Sequence, residues 1–446
     1  LFYALAGNRF LSETKSTAKL AIPIIIAQLG IVLMAVSDNI MVGRFIGKNA
    51  LGAAGLANAL AYLISSIAIG GLPVAGPLIA KSKTINNLQE TKAIYLATLR
   101  TALFFCIIIG LIGAGIYYNF DLFGQSEQVS DIARTFFLII LTSSIPVFFF
   151  TAFKQLSDGL SLTKVAMYIT FLGLFLNIPL NYILIHKIGV QGAAWATLLV
   201  RIIMACTMAY YIFRSASFRE IRQTKADTLR IKELTGKIIK LSVPGGLQFF
   251  FEVGAFSFAI IMMGWINEDA LAAHQVAVNI VSTTYMMAAG IGYASGIRVG
   301  GALGANSLSG IKRAAVSGFT LVFLFMSLCS LIIFLFPSSF IRLYINHPDI
   351  ESVAVSLLLI AAFFQISDGV QVVALGVLRG ISDVNTPAII TFISYWVISL
   401  PLGYLLAFKL SFGPKGIWIG LLAGLSFAAI FLSFRFFKKL KELDTD

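Results

Sequence analysis

The run KLAIPIIIAQLGIVLMAVSDNIMVGR, residues 19–44, decides the class of this chain. From Leu20 to Val42 it is apolar apart from a few small or amide side chains and one carboxylate, Asp38. About 20 mainly apolar residues are enough for a helix to cross a bilayer. The run follows a polar lead, NRFLSETKSTAK, and is too long for the apolar region of a signal peptide. It predicts a first spanning helix, and it poses a question of chemistry, because an acid inside hydrocarbon needs a reason.

The rest of the chain repeats the first half of that pattern. Of its 446 residues 58% are hydrophobic and only 12% charged, where a soluble domain carries roughly 25% charged residues. Mean hydropathy is +0.91. Apolar runs predict twelve spans, at 17–42, 51–80, 94–118, 132–153, 165–186, 192–213, 239–266, 271–300, 314–337, 350–378, 387–408 and 416–437. Open strands cannot cross lipid, so the expected class is an all-α polytopic membrane protein.

The net charge of +13 does not point to nucleic acid, because Lys and Arg gather in alternate loops. Placing both termini in the cytoplasm puts Lys81, Lys83, Lys92, Lys154, Arg379 and the segment RSASFREIRQTKADTLRIKELTGK (214–237) inside. Few cations, among them Arg44, Lys48 and Lys187, then remain outside, with the acidic DLFGQSEQVSD at 121–131. Cys106, Cys206 and Cys329 form no CxxC pair and read as inert buried thiols.

The chain reads as two halves, 1–213 and 238–446, joined by a solvated basic linker at 214–237 near lipid head groups. KLAIP (19–23) matches KLSVP (240–244), and AIGGLPVAGP (68–77) matches AAGIGYASGI (288–297). QLSDGLS (155–161) matches VLRGIS (377–382) through a shared glycine, and NIPLNY (177–182) matches SLPLGY (399–404). Six spans per half is an even number, so the halves enter the membrane in the same sense. The expectation is two six-helix bundles related by a pseudo-two-fold along the membrane normal, facing a central cleft, as in a transporter.

A charge at mid-bilayer costs about 2.5–3.5 kcal/mol on insertion scales. Asp38, Glu252 and Asp368 lie inside apolar runs with no Lys or Arg at matching depth in the same span. Arg201 is the one deep cation, free to pair with an acid or to snorkel. Three uncompensated acids point to binding and release of a cation, H+ or Na+. Asn177 and Asn181, at i and i+4, share one helix face, with Pro179 between them freeing a carbonyl. With Asp38 they make a hard-oxygen set suited to Na+, and Thr197 adds a hydroxyl. Pro23 is the expected hinge of the first span. Phe251, Tyr293 and Tyr395 are aromatic candidates to line the cleft and hold flat cations.

SDNIMVGR (37–44), NIPLNYIL (177–184), ALAAHQVAVNI (270–280) and SDGVQVVALGVLRGISD (367–383) resemble the multidrug and toxic compound extrusion (MATE) transporters. Having both Glu252 and Asp368 is similar to the NorM subfamily. The resemblance covers essentially the whole chain. It implies export of organic cations and amphiphilic toxins in exchange for Na+ or H+. It implies an N-lobe cation site of Asp38, Asn177, Asn181 and Thr197, and a C-lobe site of Glu252, Asp368 and Gln275, with His274 structural. Asn39 stands where many relatives have Thr. The resemblance also implies a bacterial inner membrane, a monomer and no cofactor beyond the coupling ion. The alternative within the superfamily is a flippase or exporter of a lipid-linked metabolite, which usually carries cations in its cleft. A membrane transferase would need an HxxxxD or DxD pattern, and a channel a repeated filter loop; no HxxxxD and no filter loop is present, and the one DxD, DTD at 444–446, lies past the last predicted span with no histidine near it.

Overall fold

A helix satisfies its own backbone N–H and C=O groups, which is what a chain in hydrocarbon requires. The computed structural model describes the backbone of residues 8–46, 48–123, 127–344 and 347–445, and the side chains of these except 8–9, 48–51, 122–123, 127–129 and 445. The side chains of Arg9 and Lys48 and part of the 121–131 segment thus lie outside the described residues. The described residues contain no strand.

Among the described residues, twelve helices are long and apolar enough to cross a membrane. They are α1 (Phe10–Phe45), α2 (Gly52–Thr84), α3 (Leu88–Tyr118), α4 (Ser130–Gly159), α5 (Thr163–Ile188) and α6 (Val190–Arg214). Then follow α7 (Thr228–Ile266), α8 (Glu268–Gly304), α9 (Leu308–Leu335), α10 (Pro348–Gly380), α11 (Asn385–Lys409) and α12 (Pro414–Asp444). Several outrun the apolar stretches that announced them. The helix containing α1 has 38 residues, about 57 Å at 1.5 Å per residue, against a hydrocarbon core of about 30 Å. Its polar first turns are helical because nothing in TKSTAK breaks a helix.

Packing divides the chain into one unit of Ile26–Phe250 and another of Leu1–Ile25 with Phe251–Asp446. The sequence repeat suggested a cut in the 214–237 segment. The packing cut instead falls inside two continuous helices, in α1 just after Pro23 and in α7 after Pro244. The first stretch of α1 belongs with α8. Glu13 takes two hydrogen bonds from Arg298, at 2.8 and 2.6 Å, and a Cβ on Gly290 would lie 2.9 Å from the Ile25 nitrogen. In the other unit the first stretch of α7 belongs with α2. A Cβ on Gly246 would lie 2.0 Å from the Ile67 carbonyl oxygen, and one on Gly71 would lie 2.3 Å from that of Ser242. Small residues allow such backbone-to-backbone approach, the usual way helices adhere in lipid.

The basic segment is folded rather than a solvated linker. Phe218 and Ile221 are buried, Lys92 Nζ donates to the carbonyls of Arg222 and Thr224, and Arg230 grips Glu90 with two bonds of 2.9 and 2.6 Å. From Thr228 onward the segment is the first turns of α7. The cysteines are free but not buried: Cys206 is exposed and Cys106 and Cys329 are half-buried.

Within each unit the repeat is visible in one contact. A Cβ on Gly159 of α4 would lie 2.8 Å from the Gly76 carbonyl oxygen of α2. A Cβ on Gly380 of α10 would lie 2.8 Å from the Gly296 carbonyl oxygen of α8. These are the glycines that the sequence match had paired.

Candidate functional site

In the Ile26–Phe250 unit, Asp38 projects from the second half of α1 toward α5 and α6. Its Oδ1 accepts from Asn177 Nδ2 at 2.9 Å and from Asn181 Nδ2 at 2.6 Å. Its Oδ2 accepts from Thr197 Oγ1 at 2.8 Å. The structure therefore brings together all four residues expected at the N-lobe site. The i, i+4 spacing on α5 puts both amides on one carboxylate oxygen, and Pro179 lies within that turn without breaking the helix. Asn177 and Asn181 are buried, and their Oδ1 atoms meet no hydrogen-bond donor. Around one acid the site thus offers two further uncommitted oxygens.

Arg201 neither snorkels nor touches the acid. Its Nη1 donates to Ser143 Oγ of α4 at 2.5 Å. It lies one helical turn beyond Thr197, where its charge acts on Asp38 at a distance.

In the other unit, Glu252 of α7 and Asp368 of α10 are both buried. They act on one another electrostatically, and Tyr285 of α8 hydrogen-bonds the Glu252 carboxyl. Gln275 does not join them. Its side chain is exposed, whereas the adjacent His274 is fully buried, where its Nδ1 accepts from Trp418 Nε1 at 3.0 Å. The buried glutamines described in this unit are Gln365, which takes a bond from Thr284 at 2.9 Å, and Gln371.

Besides Gln275, two further residues were misplaced by sequence reasoning. Arg379 was assigned to a cytoplasmic loop, but it is buried in the last turn of α10, and its charge acts on Glu252. It stands eleven residues from Asp368, three turns along one helix face, which was the available signal. Tyr395 does not line an open surface: it is fully buried and exchanges hydrogen bonds with Gln371. Phe251 and Tyr293 are half-buried. Pro23 is buried inside an unbroken helix. Among the described residues no three His, Cys, Asp or Glu side chains gather as metal ligands. The available donors are hard oxygens around single acids or one acid pair, which suits H+ or an alkali cation rather than a transition metal.

The sequence matches the MatE family twice, over residues 23–183 and 244–405, once in each half. The chain is 32% identical over 449 residues to the probable multidrug resistance protein NorM of Pseudomonas putida, covering 97% of this chain and 96% of that protein. It is 31% identical over 445 residues to the multidrug resistance protein MdtK of Yersinia pseudotuberculosis, covering 96% of each. Among solved structures, the eukaryotic MATE transporter AtDTX14 superposes with a TM-score of 0.90 at 20% identity, over 97% of this chain and 98% of that one. At that identity the likeness speaks for the fold.

Proposed function

Because the chain belongs to the MatE family of transporters, we propose that it is a secondary active multidrug exporter of a bacterial plasma membrane, moving organic cations and amphiphilic toxins outward in exchange for Na+ or H+. The observation that carries this reading is the Asp38 site. Three donors offset part of the cost of holding a carboxylate there, and the unpartnered oxygens of Asn177 and Asn181 give an incoming cation the ligands it needs. Acids inside both units also favour positively charged cargo. Glu252 and Asp368 form the second coupling site in this reading, and both termini face the cytoplasm.

The driving force is sufficient. One charge crossing about 100 mV releases about 2.3 kcal/mol, and a tenfold cargo gradient costs about 1.4 kcal/mol. The test is ethidium transport in proteoliposomes with Na+ and pH gradients imposed separately. Uphill transport driven by either gradient supports the proposal. Uphill transport with both gradients abolished and ATP supplied refutes it.

A further inference from the structure

Helix α11 is not regular. Over Ile393–Ser399 it widens into a π-helical turn, in which the Leu400 N–H reaches back five residues to the Tyr395 carbonyl. Pro401 follows at once; it has no N–H to donate, and its ring would crowd the carbonyl four residues earlier. Helix α12 is shaped for the wide turn. A Cβ on Gly424 would lie 2.6 Å from the Ser394 carbonyl oxygen, and one on Gly420 would lie 2.6 Å from that of Ser399. A widened turn that its neighbour is shaped to receive is a built feature, and such turns occur frequently at functional sites.

The turn presents two consecutive aromatic side chains to two different helices. Tyr395 Oη accepts from Gln371 Nε2 at 2.9 Å and donates to Gln371 Oε1 at 3.1 Å. Gln371 lies one turn beyond Asp368 on α10. Trp396 Nε1 donates to the Phe251 carbonyl at 3.1 Å, and a Cβ on Gly254 would lie 3.1 Å from the Trp396 ring. Phe251 adjoins Glu252 on α7. One turn of α11 thus grips the helix of each acid beside the acid itself, and Tyr395 lies within electrostatic reach of both carboxyls.

We propose that Tyr395 and Trp396 are positioning residues that fix the separation of Glu252 and Asp368 and so set the affinity of that pair for its coupling cation. The inference rests on the reading of the two acids as a coupling site. Two carboxyls held a set distance apart accept one cation between them best at one spacing, and a helix with two points of attachment is stiffer than either acid's own rotamer.

The experiment measures ethidium efflux from proteoliposomes against external Na+ and, separately, against pH. Tyr395→Phe removes the hydroxyl and keeps the ring; Trp396→Phe removes the N–H. Each is expected to raise the half-saturating Na+ or H+ concentration about five-fold, the factor one hydrogen bond is worth. A lower maximal rate with the half-saturating concentration unmoved marks a merely structural role and overturns the proposal. Trp396 is only half-buried, so Trp396→Phe carries the test if Tyr395→Phe fails to accumulate. Glu252→Gln and Asp368→Asn are run beside them. If those two leave the ion dependence intact, the coupling-site reading fails and the inference falls with it. If they abolish coupling while both aromatic variants match the parent, the inference alone fails.

Discussion

Asn181 Nδ2 donates to Asp38 Oδ1 at 2.6 Å, and this short bond is half of a two-amide grip on one oxygen of a half-buried acid. A hydrogen bond to a charged group contributes about 1.5–3 kcal/mol. Asn181→Leu is therefore expected to destabilise the protein by about that amount, read from unfolding in detergent. Combined with Asp38→Asn the two effects should fall short of their sum, because the second change removes a partner already lost. Additive effects would show that the bond carries no coupling energy.

The acid pair of the other unit gives a second expectation. Glu252→Gln and Asp368→Asn each remove a charge and keep shape and hydrogen-bonding capacity. Ion-driven ethidium efflux should fall below about a tenth of the parent rate, a loss of at least about 1.4 kcal/mol in the rate-limiting barrier, at unchanged expression. Arg379→Gln removes the buried cation that acts on Glu252. It should alter the ion concentration that half-saturates efflux more than the maximal rate. Normal transport by both acid variants would place the coupling elsewhere.

The glycine contacts make a prediction about stability alone. A Cβ on Gly376 of α10 would lie 2.2 Å from the Gly292 carbonyl oxygen of α8, a backbone atom that cannot turn aside. Gly376→Ala must part the two helices, and overpacking of that kind costs typically about 1–3 kcal/mol. At Gly264, within α7, a Cβ would meet nothing within 4 Å. Gly264→Ala should be neutral or stabilising by up to about 1 kcal/mol, since Ala is the better helix former. Thermal unfolding of the two variants should move in opposite directions or leave Gly264→Ala unmoved; equal losses would contradict the contact.

Much of this was legible in residues 19–44 and their counterparts. The number of spans follows from hydropathy, because lipid forces helices; the i, i+4 spacing put Asn177 and Asn181 on one helix face, and the family resemblance implied their gathering with Asp38 and Thr197. The failures have a common physical origin. Gln275 and His274 are neighbours in sequence, and only packing against Trp418 decides which one faces inward. Arg379 follows the apolar run of α10, and its burial depends on helix continuing past that run. Tyr395 lies in a turn whose register departs from 3.6 residues, so periodicity does not give its face. The packing cut inside α1 and α7 has no signature in composition, since it depends on which neighbour Gly290 or Gly246 can approach.

The last prediction joins Asp38 to Pro23. Both lie on α1, a helix that is continuous from Asn8 to Phe45 although Pro23 leaves one backbone bond unmade. The packing division crosses α1 at Ile25 and Ile26, just past that proline. The stretch before it is tied by Glu13 to Arg298, and the stretch after it by Asp38 to Asn177, Asn181 and Thr197. A helix held at both ends and weakened between them bends at the weak point when one end changes partners. In the proposed reading, binding of Na+ or H+ at Asp38 is such a change, because the carboxylate then needs fewer of its donors. Single cysteines placed along residues 26–36, in a background lacking the three native ones, should change their labelling by a soluble maleimide when Na+ is added or pH is lowered. In Asp38→Asn the pattern should stay fixed in one state, and in Pro23→Ala the response should shrink. Identical responses in the parent and Asp38→Asn would make Asp38 a packing residue.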